Sequence, residues 1–168
     1  MNKYIKNILF AIALFYSGIA LGQTKVGETK SNMGSNIIDL EFSDFSRDPQ
    51  NTLFTMGKEM LKGINDKNGW SNNKTGKIAR SVKSYKVLTI KRDNQAASIK
   101  LLQDIDTRIQ KHGEYQEYMR ESGERHSIIY IRGSSPNLLS EIVIVYLRNG
   151  TLRLSSFAGE NLDIKAMY

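Results

Sequence analysis

Few residues in this chain are of types that do chemistry, and their spacing decides what each could do. There are two histidines and no cysteine. His112 and His126 form no HxH, HxxxH or HExxH pattern, the spacings that bring two imidazoles to one metal ion. The lack of cysteine excludes disulfides, thiol catalysis, zinc ribbons and lipid attachment through a thiol. No serine stands in a GxSxG or SxxK context. Ser134 and Ser135 lie in Gly133-Ser134-Ser135-Pro136, which reads as a turn. Asp104 and Asp106 are two apart on a predicted helix, about 200° around it, so they diverge. Glu114, Glu117 and Glu121 fall among Tyr115, Tyr118 and Arg120 and read as a solvated strand face. A glycosidase would need two carboxyls held several ångströms apart across a sugar. Gly57, Gly63, Gly69 and Gly76 lack the GxGxxG or GKS/T core that cradles phosphate. No catalytic residue, metal site or cofactor is therefore expected.

One feature of the surface does stand out. The chain has 24 Lys and Arg against 17 Asp and Glu. Seven of the basic residues fall between Lys74 and Arg92, with no acid among them. Lys74, Lys77, Arg80, Lys83 and Lys86 recur there every third residue. On a helix that spacing drifts by about 60° per step, so they would wind around it and form no single stripe. They are the candidate anion-binding surface, suited to lipid headgroups, polyanionic glycans or an acidic protein. The competing reading is a basic surface that serves solubility. Nucleic acid is not expected, because no aromatics interleave the cations beyond Tyr85.

The N-terminus supplies an address. Residues 1–22 read as a signal peptide. Lys3 and Lys6 precede the apolar stretch Ile8–Leu21, and Ala20 and Gly22 are the small residues before Gln23. That stretch would give a helix of roughly 21 Å, short of a hydrocarbon core of roughly 30 Å. Cleavage would remove two lysines and no acid, taking the formal charge from +7 to +5. No later stretch is long and apolar enough to span a membrane, so the mature chain is expected to be soluble, periplasmic or extracellular.

These features must be positioned by a fold. Residues 23–36 are polar and rich in Gly, Ser and Asn, and read as a flexible leader. Residues 37–168 read as one domain. Its first segment, Ile37 to Phe45, is ambiguous between helix and strand, and Asp48-Pro49 ends it. Thr52–Met56 reads as a strand, Lys58–Ile64 as a short helix and Asn65–Gly76 as a loop. Ile78, Val82 and Tyr85 suggest another short helix before an extended stretch from Tyr85 to Ile90. A helix is predicted from Asp93 or Asn94 to His112, with Ala96, Ile99, Leu102, Ile105 and Ile109 on its apolar stripe and Gly113 as its stop. Four strands follow: Tyr115–Glu121, His126–Arg132, Leu139–Arg148 and Thr151–Phe157. Asn149-Gly150 suits the type I′ turn of a hairpin. The fold class is α+β, an antiparallel C-terminal β-meander in one sheet with helices packed mainly on one face.

Ile128–Ile131 and Ile142–Leu147 are apolar on both faces of their strands. The helix covers one face. The other needs cover as well, either from Ile37, Leu40, Phe42 and Phe45 or from a second subunit.

The chain resembles the exported bacterial family, common among Bacteroidota, known as domain of unknown function 4252. The resemblance rests on the signal peptide, on TLFTMGKEML at 52–61, on SYKVLTI at 84–90 and above all on SEIVIVYLRNGTLRLSSFAGENLDI at 140–164. It implies an envelope protein with a binding or sensing role, whose partner would be an envelope protein or an anionic envelope surface. The family carries no established activity, so no site residue transfers. The expected function is non-enzymatic binding or sensing. A small hydrolase with unrecognised carboxylates and a structural or adhesive component are the alternatives.

Overall fold

The computed structural model describes residues 36–67, 80–92, 94–123, 125–135 and 138–164. The expected signal peptide, most of the leader, and Lys74 and Lys77 lie outside them. The described elements run α1 (Ile37–Glu41), α2 (Ser43–Arg47), β1 (Thr52–Gly57), α3 (Lys58–Lys67), β2 (Val82–Lys91) and α4 (Gln95–Lys111). Four strands follow: β3 (Gln116–Glu121), β4 (His126–Ser135), β5 (Leu138–Arg148) and β6 (Thr151–Leu162). The strands form one antiparallel sheet in the order β1-β2-β6-β5-β4-β3. This is the expected α+β arrangement with a C-terminal meander.

Local chemistry sets the boundaries. Asn94 caps α4 by accepting the Ala97 N–H at 2.8 Å, and Gly113 leaves the helix at φ 74°. At the β5–β6 hairpin Asn149 and Gly150 take φ 49° and 72°, the left-handed pair a type I′ turn requires. The Ile37–Phe45 segment resolves into two single-turn helices. Asn36 caps the first, and Asp48 ends the second in extended backbone before Pro49.

Two elements differ from the sequence reading. Helix α3 continues to Lys67, over the start of the expected loop. Val82 and Tyr85 belong to strand β2, not to a helical stripe. A bulge between Val82 and Ser84 puts one extra residue into β2, so residues three apart share a face. Beside that bulge the backbone just before β2 crowds β6. A Cβ on Gly159 would lie 2.0 Å from the Ser81 carbonyl oxygen, so only glycine fits.

The sheet has a core on each side. Leu88, Ile90, Ile128, Tyr130, Val143, Val145, Leu152 and Leu154 pack with α4 through Leu101, Leu102, Ile105 and Ile109. Ile37, Ile38 and Phe42 join this same core. The N-terminal segment therefore lies beside α4, and the expectation that it covers the opposite face is overturned. That face gathers Met56, Val82, Tyr85, Val87, Ile129, Ile131, Ile142, Ile144 and Phe157. Among the described residues its cover comes from Leu61 of α3, with Leu162 and Ile164 at the chain's end. The reason is geometric. Helix α4 spans only part of its face, and the remaining groove takes three large side chains, each worth about 1.5–3 kcal/mol when fully buried.

Candidate functional site

The expected basic surface is divided by its own partners. Arg80 is exposed, just before β2. Lys83 pairs with Glu160 of β6, and this contact holds the Glu160 carboxyl below its usual range. Lys86 lies on the α4 side of β2, alternating with Leu88 and Ile90, and its ammonium meets Asp39 Oδ2 of α1 at 2.7 Å. The two lysines thus neutralise acids on different elements. Of the five predicted residues, Arg80, Lys83 and Lys86 are described, and Lys83 and Lys86 are drawn into separate ion pairs.

The carboxylates weighed in the sequence are dispersed. Asp104 faces Arg108 at 4.0 Å, whereas Asp106 accepts from Gln110 Nε2 at 2.7 Å, from the Tyr130 hydroxyl and from Arg120. Glu117 pairs with Arg120 at 2.6 Å and Glu114 with Arg132 at 3.2 Å. His112 ends α4 as expected, edge-on to Tyr115 with ring centroids 5.5 Å apart. Its Nε2 stands 3.8 Å from Glu41. Among the described residues, no group of three or more His, Cys, Asp or Glu could hold a metal ion.

The densest polar constellation is one the sequence reading did not name. Glu141 is fully buried on β5, on the α4 side of the sheet beside Val143 and Val145. One of its oxygens, Oε1, accepts the Ile37 N–H at 3.0 Å and the Ser156 hydroxyl at 2.6 Å. The other, Oε2, accepts the Tyr115 hydroxyl at 2.7 Å and meets an Arg132 amino group at 2.9 Å. The Arg132 guanidinium also lies over the Tyr115 ring, 5.4 Å from its centroid. Burial, and then the adjacent Glu141 carboxylate, hold the Tyr115 phenol well above its ordinary pKa. Register explains the convergence: Arg132 lies opposite Glu141 on β4, and Ser156 opposite Val143 on β6. The signal was present in Ser140-Glu141-Ile142, an acid at an inward position of an apolar strand.

Chemically, this arrangement ties elements together. Glu141 joins α1, the entry to β3, β4 and β6. Arg108 of α4 secures the same N-terminal segment from the other side. Its guanidinium donates to the Glu41 carbonyl, sits 4.8 Å over the Phe42 ring and faces Asp44 at 3.4 Å. A strap of two short helices is thereby locked into the groove between α4 and the sheet.

A six-stranded antiparallel sheet with helices mainly on one face defines the class, an α+β domain whose best-built polar cluster is internal. The model of domain of unknown function 4252 matches residues 45–168, well over half of the chain, and the protein belongs to that family. No curated protein and no solved structure matches it. The matched region begins inside α2, so α1 with its buried Ile37 and Ile38, and Phe42 after it, lie outside it.

Proposed function

We propose that this is an exported envelope protein that acts by binding or sensing and not by catalysis. The observation that carries this reading is the condition of Glu141. A general acid or nucleophile has to touch its substrate. Glu141 is fully buried, and both its oxygens are occupied by donors from Ile37, Tyr115, Arg132 and Ser156. Its role is to hold the fold, which leaves the protein's exterior to do the work. Export rests on the segment Met1–Gly22, with cleavage before Gln23. N-terminal mass spectrometry of the protein from cell fractions tests that step. The expected result is a chain starting at Gln23 outside the cytoplasm, and an intact Met1 chain in the inner membrane refutes it.

The proposed ligand is an anionic envelope surface, met by the run from Lys74 to Lys86. Since Lys83 and Lys86 already pair with Glu160 and Asp39, they contribute less than an isolated lysine would. Replacing Lys74, Lys77, Arg80 and Lys83 together by Gln should abolish salt-sensitive retention on anionic vesicles or heparin. Unchanged retention would assign the run to solubility alone.

A further inference from the structure

The sheet ends in two edges, and among the described residues only one of them is defended. The β3 edge, Gln116–Glu121, carries Glu117, Arg120 and Glu121, and a bulge between Glu117 and Met119 distorts its ladder. Charges and bulges are the usual means by which an edge strand repels further pairing. The β1 edge, Thr52-Leu53-Phe54-Thr55-Met56-Gly57, has no charged residue, and its pairing with β2 is unbroken across all six positions. Among the described residues, no strand pairs with its outer side. Thr52, Leu53 and Thr55 are exposed, Leu53 to 39%, and Met60 follows on α3 at 54%. Thr, Leu and Phe suit a strand partner, and an edge of this kind is open to strand addition.

We propose that the outer edge of β1 is a dimerisation seam, on which a second copy of this chain pairs its own β1 antiparallel about a two-fold axis. Self-pairing fits because the strand is neutral along its whole length, so no like charges meet across the seam. The same operation on β3 would carry its bulge between Glu117 and Met119 into the seam. The seam is about 20 Å long at the usual rise per residue. It joins two six-stranded sheets into one continuous sheet and leaves both helix-packed faces untouched.

Sedimentation of the mature chain over rising concentration is the test. The expected result is a monomer–dimer equilibrium. Leu53→Lys combined with Thr55→Lys should render the chain monomeric with its melting curve retained, whereas Tyr118→Lys on the other edge should leave the dimer intact. A chain monomeric at every concentration overturns the proposal, as does a dimer that survives Leu53→Lys with Thr55→Lys. Because the protein has no cysteine, single cysteines give a second readout that does not depend on tolerating lysine. Mild oxidation should join two copies through a cysteine placed at one of positions 52–55. Joining through Tyr118→Cys, with none along β1, refutes the seam.

Discussion

The helix-packed face of the sheet contains the same trio twice: a carboxylate, a tyrosine hydroxyl and an arginine. In one, Glu141 meets Tyr115 and Arg132; in the other, Asp106 meets Tyr130 and Arg120. Their surroundings differ. Glu141 has no exposure and takes two further donors, from Ile37 and Ser156. The Asp106 side chain keeps 19% of its surface in water, and Arg120 is shared with Glu117. Water can replace a lost partner at Asp106. Around Glu141 a lost partner leaves a buried donor with nothing to bond. The same three groups therefore form a keystone in one place and a surface brace in the other.

The largest expected effect comes from removing the keystone. Glu141→Ala should destabilise the domain by about 3–5 kcal/mol, because the Ile37 N–H, Tyr115, Ser156 and Arg132 lose their common acceptor. Asp106→Ala should cost about 1–2 kcal/mol. Chemical denaturation of both variants measures the two values. If Asp106→Ala proved the costlier, the contrast between the trios would collapse.

Alkali sharpens the comparison. Burial first, and then the bonded carboxylate, raise both phenols, Tyr115 beside Glu141 and Tyr130 beside Asp106. An unfolded tyrosine ionises near pH 10 while the folded one stays neutral. Above about pH 10 the unfolded chain has therefore lost protons that the folded chain keeps, so stability falls as pH rises. Below that pH the two phenols add no slope. Tyr115→Phe and Tyr130→Phe should each flatten the alkaline loss. A fall of the same steepness in the double variant would exclude these phenols as its source.

The smallest effect belongs to the ion pair at the edge of the strap. The Asp39 partner of Lys86 is nearly half exposed, so Lys86→Gln should cost at most about 1 kcal/mol and less in high salt. A thermal melt at two salt concentrations would detect it. A larger loss, insensitive to salt, would mean that Lys86 supports the strap by packing and not by charge.

Local elements were readable because each carries its own signal. Asn94 and Gly113 bracket α4, and Asn149-Gly150 makes its turn regardless of what surrounds it. The apolar runs of β4 and β5 announced strands buried on both faces. What local pattern could not convey was partnership. That β2 pairs with β6, far along the chain, is fixed by the completed sheet. The apolar character of Ile37, Ile38 and Phe42 says that they are buried and is silent on which face buries them. The bulge after Val82 imitated a helical stripe, since it gave strand residues a spacing of three. Among the site residues, five cations stand out in the sequence by their density, yet Lys83 and Lys86 find acids that only the fold brings near. Glu141 could have been noticed as an acid at an inward strand position. Its four donors come from four separate stretches of chain, and no spacing rule joins them.

The placement of β6 has a consequence for how the molecule comes into being. The meander β3-β4-β5-β6 is built from neighbours and can close as it is made. Strand β2 finds its second partner only in β6, and Ile37 bonds to Glu141 across 104 residues of sequence. A chain made from its N-terminus must therefore complete Thr151–Leu162 before its first third has anywhere to dock. During that interval β1 waits with its uncharged apolar run unprotected. The contacts that seat the N-terminal strands and strap are thus long-range ones, which carry the larger loop-closure cost. A chain cut short before β6 would leave them without a seat.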